Sequence, residues 1–140
     1  MKRLFSIKYS DNSIAFAALL LRLAIGGLLI PHGYHKLVNF ANISSKFADP
    51  LHIGSALTLG LAIFAEFFCA IFILLGLFTR LAVIPVFITM LVAYFVAHGN
   101  DDFMVKMLPF VYLFLCVVVF ILGSGRYSLD AAIFDKNRNN

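Results

Sequence analysis

The sequence predicts an all-α fold: an integral membrane bundle of four transmembrane helices with a short interfacial helix on its outer side. Three observations carry this. Hydrophobic residues make up 62% of the 140 residues and charged residues 13%, against about 45–50% and 25% in soluble domains. Mean hydropathy is +0.97. Four runs approach the roughly 17–25 apolar residues that cross the hydrocarbon. None alternates like a barrel strand, so the backbone must close its hydrogen bonds within helices. This composition excludes a soluble globular domain, a disordered chain and a nucleic-acid-binding module. The basic surplus, 11 Lys and Arg to 7 Asp and Glu, lies mostly at the edges of the runs and reports topology, not a nucleic-acid partner.

The chain reads as a single membrane domain over 1–140, with helices at about 14–33, 55–77, 81–98 and 103–122 and a tail at 123–140. The first run has a basic start but carries Arg22, and Pro31-His32-Gly33-Tyr34 is no small-residue cleavage site, so it is expected to be a retained helix. Pro31 is expected to kink or end it. Between the first two runs, Leu37, Phe40, Ala41, Ser44 and Phe47 fall at helical spacing and suggest a short helix on the membrane surface, closed by Asp49-Pro50. Pro85 and Pro109 fall in or near first turns, where a missing N–H is tolerated. Gly123-Ser124-Gly125 stops the last span, and Ser128 can cap a short helix through Phe134. The segment from Asp135 onward is expected to be disordered.

Arg22 lies eight residues from each end of the run 14–30, and Glu66, the only glutamate, eleven from each end of 55–77. Both are therefore expected near the midplane as a buried membrane ion pair. A lone central charge costs about 3 kcal/mol on insertion scales, so each relieves the other. The pair either locks two helices or serves as a proton relay or ligand anchor. The four histidines cluster at the outer ends of the spans. His32, Lys36, His98 and Asp102 are the candidate ligand-binding rim, with Lys36 one turn beyond His32 if the helix continues. Their spacing matches no metal motif, so no metal is expected; an amphipathic molecule such as a quinone or lipid head group suits them better. No residue declares itself catalytic. Cys69 and Cys116 form no CxxC and read as core hydrophobes.

These residues resemble the DoxX family of small four-helix bacterial membrane proteins. The matching features are Leu21-Arg22, His32-Gly33-x-x-Lys36-Leu37, Glu66, Leu75-Gly76-Leu77-x-Thr79-Arg80, Ala97-His98 and Gly123-x-Gly125-x-Tyr127-Ser128-Leu129-Asp130. The chain departs from the family at Phe67-Phe68-Cys69, where glycines are usual. The resemblance implies a membrane subunit of a quinone-linked or oxidative- and thiol-stress redox complex, at most an accessory subunit of an oxidoreductase. The alternative, implied by more distant relatives, is a non-enzymatic scaffold or assembly factor for another membrane or exported protein. A protein partner or homo-oligomer is expected, and quinone is the cofactor to test.

Seven basic residues (Lys2, Arg3, Lys8, Arg80, Arg126, Lys136, Arg138) fall on the side of the termini and three (Lys36, Lys46, Lys106) on the other. The bias is expected to put both termini in the cytoplasm, and the resemblance implies the inner membrane of a bacterium. With Cys69 and Cys116 replaced, a cysteine at Asn137 is expected to resist a membrane-impermeant maleimide applied to intact cells. Labelling from outside reverses the topology.

Overall fold

The computed structural model describes residues 9–135. Helix α1 spans Asp11–Val38 and α2 is one turn, Phe40–Ile43. Then follow α3 (Ser55–Leu75), α4 (Thr79–Ala97) and α5 (Phe103–Leu122), which with α1 are long and apolar enough to cross a membrane. A π-helical turn over Ala131–Asp135 comes last. No strand occurs among the described residues. The molecule is a multi-pass membrane protein whose exposed faces of Leu, Ile, Val and Phe meet lipid. Residues 1–8 and 136–140, which include Lys2, Arg3, Lys8, Lys136 and Arg138, lie outside the described residues, and with them all of the expected disordered tail except Asp135, which closes the π-helical turn instead.

The four spans run up, down, up and down. Helix α1 packs on α3 and α5, α3 on α4, and α4 on α5. The core lies where all four meet and draws Ile25 and Leu29 from α1, Cys69 and Ile73 from α3, Val83 and Val86 from α4, and Cys116 and Val119 from α5. Lipid supplies no hydrophobic drive between helices, so close backbone approach must hold them together. A Cβ on Gly33 would stand 2.6 Å from the Glu66 carbonyl carbon and the Phe67 nitrogen, and one on Gly26 2.7 Å from Leu74 Cβ. These contacts fix α1 against α3.

Three expectations change. Pro31 neither ends nor replaces the last turns of α1, which continue to Val38 rather than stopping near residue 33. The contact of Gly33 with α3 and the ion pair described below hold those turns in place. They offset the missing N–H and the clash with the Gly27 carbonyl that proline brings. The interfacial helix expected on the outer side is a single turn, α2, with the remainder of 44–54 in turns, bends and coil. Pro85 and Pro109 sit six residues inside α4 and α5, one turn deeper than expected.

Helix ends are capped by local chemistry. Ser10 Oγ accepts from Ser13 N at 3.2 Å, and Asp11 in the first turn complements the helix dipole. At the end of α3, Gly76 takes φ +71° and Leu77 N closes onto Phe72 O at 2.9 Å, the left-handed stop that glycine permits.

Gly33→Ala is expected to destabilise the detergent-solubilised protein by about 1–3 kcal/mol, because backbone atoms must move. Gly27→Ala meets nothing within 4 Å and is expected to be neutral or stabilising by up to about 1 kcal/mol from helix propensity. Thermal unfolding followed by circular dichroism compares the two; equal effects would show that the α1–α3 approach is loose.

Candidate functional site

The extension of α1 past Pro31 sets the site. It carries Lys36 onto the same face as Gly33, one turn further along, where its ammonium donates to both carboxylate oxygens of Glu66 at 2.7 and 2.6 Å. The Glu66 side chain is 8% exposed and that of Lys36 24%. Glu66 sits in a π-helical stretch, Phe64–Cys69, inside α3. Such a stretch adds a residue to the turn and commonly marks a functional position. Here it turns the carboxylate toward Lys36. The Phe47 ring lies 5.6 Å from the Lys36 ammonium, a cation–π contact with the connecting segment.

Beside this pair is a cavity of about 350 Å³ between α3, α4 and the connecting segment. Its walls are mainly apolar, among them Leu51, Leu61, Ile88 and Val92; Lys36, Glu66, Thr58, Thr89 and His98 are its polar points. A second π-helical stretch, Ala93–Ala97, ends α4 at the same cavity. The connecting segment that walls it is held by Asp49. The carboxylate accepts from Ile53 N at 3.0 Å, Gly54 N at 2.8 Å and Thr58 Oγ1 at 3.0 Å. Desolvation opposes its charge, yet the bonds from Gly54, Thr58 and Ile53, with neighbouring His52, outweigh it and hold the Asp49 carboxyl below its ordinary value.

The expected Arg22–Glu66 pair does not form. Glu66 belongs to Lys36, and Arg22 lies level with Gly76, ten residues along α3 from Glu66. That is about 15 Å along the helix axis. The midpoint of an apolar run misjudged the depth of Arg22, because the first three turns of α1 extend beyond the α3–α4 turn. There Ala15 and Ala18 pack against Gly125, after α5, rather than against α3. Of the outer residues, Lys36 and His98 line one cavity. His98 is bonded to Asp101 at 2.7 Å through Nδ1. His32 is exposed and does not line that cavity, and Asp102, also exposed, does not either. No group of three His, Cys, Asp or Glu side chains that could hold a metal occurs among the described residues. Cys69 and Cys116 are buried and unpaired.

Arg22 is instead the centre of a second polar cluster. Its side chain is buried, Nη2 donates to Tyr127 O, and Nε and Nη1 have no partner among the described residues. A Cβ on Gly76 would lie 1.8 Å from Nη1, so a glycine is needed there for space as well as for φ. Asp130 closes the cluster. It accepts from Phe78 N at 2.8 Å and Thr79 N at 3.3 Å, and its own N–H donates to Gly76 O at 2.9 Å. Phe78 stands at φ +47°, costly for a bulky residue, and the Asp130 carboxylate holds it there. Ser128 Oγ accepts from Ala131 N at 3.1 Å and starts the last turn. Nothing in the sequence marks Asp49 or Asp130 for these roles beyond the place of Asp130 in a string that carries the family resemblance.

A four-span membrane protein with an ion pair beside an apolar cavity at one end and a buried arginine cluster at the other is the class this structure defines. Residues 17–99 match the family model DoxX, and the chain belongs to the DoxX family. Neither the curated proteins nor the solved structures compared with it give a match.

Lys36→Met leaves Glu66 charged and alone, and is expected to cost about 3 kcal/mol. The double variant Lys36→Met, Glu66→Gln is expected to cost less than Lys36→Met alone, because no charge is left stranded. Denaturation in mixed micelles reads the cycle; additive losses would mean that the two side chains do not interact.

Proposed function

We propose that this chain is a membrane subunit of a quinone-linked redox complex in the bacterial inner membrane, with both termini in the cytoplasm, and that the cavity beside Lys36 and Glu66 receives the quinone head group. The observation that supports this most is the pairing of apolar walls with a half-buried, hydrogen-bonded ion pair in about 350 Å³. Ligand sites combine an apolar lining with a few placed polar groups in this way.

The residues fit such a group. Lys36 can turn an N–H from Glu66 onto a carbonyl oxygen, and Glu66 can accept from a hydroxyl. His98, 42% exposed at its side chain and bonded to Asp101, can pass a proton between the cavity mouth and water. Leu61 and Ile88, exposed to lipid and lining the cavity, leave a path for an isoprenoid tail. A quinone when bound supplies a two-electron, two-proton acceptor, with the electrons drawn from a thiol- or sulfur-oxidising partner subunit.

The second reading is a scaffold or assembly factor with no ligand chemistry. It draws on the internal satisfaction of the polar groups: Lys36 with Glu66, His98 with Asp101, Asp130 with Phe78 and Thr79.

Purification in mild detergent, followed by mass spectrometry of bound lipids and proteins, separates the readings. Wild-type protein is expected to retain quinone together with an oxidoreductase partner. Glu66→Gln and Lys36→Met are expected to lower affinity for a short-chain quinone at least tenfold, about 1.4 kcal/mol. Wild type without quinone, or unchanged binding in both variants, overturns the first reading; a stable client without redox centres establishes the second.

A further inference from the structure

We propose that the opposite end of the bundle carries a binding site for one anionic phospholipid, with its phosphate between Arg80 and Arg126 and one acyl chain in the furrow between α4 and α5. A groove of about 600 Å³ opens where α4 begins and α5 ends. Both arginines line it. Each uses a single hydrogen bond within the protein: Arg80 Nη2 to Ile121 O at 3.3 Å, and Arg126 Nη1 to Asn12 Oδ1 at 3.2 Å. Among the described residues neither is paired with a carboxylate. Each guanidinium therefore keeps most of its forked donors, the arrangement that binds phosphate oxygens in pairs.

The groove also holds Asp130 and Asp135. Asp130 is engaged by the N–H groups of Phe78 and Thr79. Asp135, exposed at the rim, is the opposing charge that remains. Two guanidiniums against it leave an attraction for a monoanion, which a phosphodiester matches.

A second observation makes the ligand a lipid. A furrow of about 240 Å³ with no polar lining runs between α4 and α5, bounded by Ile84, Phe87, Val117 and Phe120. Ile84 and Phe87 lie five and eight residues inside α4 from Thr79, about 8 and 12 Å below the groove. Charge at the water boundary over an apolar furrow between the same two helices is the shape of a phospholipid, and basic pockets between spans are known to take such head groups.

The test uses full-length protein in a neutral detergent and native mass spectrometry with added phosphatidylglycerol or phosphatidylcholine. Phosphatidylglycerol is expected to remain bound at least fivefold more than phosphatidylcholine, and the preference is expected to fall below twofold in Arg80→Gln, Arg126→Gln. Lys106→Gln, which removes a charge at the other end, is expected to keep the full preference. Equal retention of the two lipids by wild type overturns the proposal whether or not the double variant folds. So does a preference that survives in a double variant of native helicity. Displacement of the lipid by millimolar inorganic phosphate alone would instead mark a free-phosphate site and overturn the lipid assignment.

Discussion

The contact of Gly33 with the α3 backbone at Glu66 and Phe67 sets how α1 lies along α3, and the polar chemistry at both ends of the bundle follows from that alignment. Sliding α1 by one turn would carry Lys36 about 5 Å from its carboxylate and Arg22 away from the space that Gly76 leaves for it. In lipid a displaced charge finds no water to take the place of its partner. Close packing of small residues and pairing of charges therefore enforce one another, and neither alone would select this arrangement.

The strings that carry the family resemblance divide between those two ends. His32-Gly33-x-x-Lys36, Glu66 and Ala97-His98 gather around the apolar cavity, although His32 itself turns away. Leu21-Arg22, Leu75-Gly76-Leu77-x-Thr79-Arg80 and the Gly123–Asp130 string meet at the other end. Strings up to 105 residues apart in sequence thus become neighbours. The two polar centres thus occupy opposite ends of the four-helix bundle.

The four spans were legible because composition and run length report directly on the bilayer. The importance of Arg22 and Glu66 was legible for the same reason: a charge inside an apolar run must be answered. Their partners were not, since the depth of a residue depends on helix ends, and the end of α1 lies beyond a proline that ordinarily stops a helix. Lys36 lies beyond the apolar run of the first span, and only the folded chain brings it to the same cavity as Glu66. Asp49 read only as part of a helix stop; its bond to Thr58, nine residues on, depends on how the loop closes. The wide turn around Glu66 leaves no mark in hydropathy at all, because apolar side chains occupy it on both sides.

The reach of Arg22 to Tyr127 has a consequence for biogenesis. When α1 and α3 first enter the membrane, the carbonyl that accepts from Arg22 and the carboxylate that steadies Phe78 have not yet been synthesised. The guanidinium must keep its hydration at the boundary until the stretch after α5 emerges, and only then can the arginine be enclosed. Closure of this end waits for the segment that follows α5, so a chain interrupted at Leu122 would hold α1, α3, α4 and α5 and still lack it.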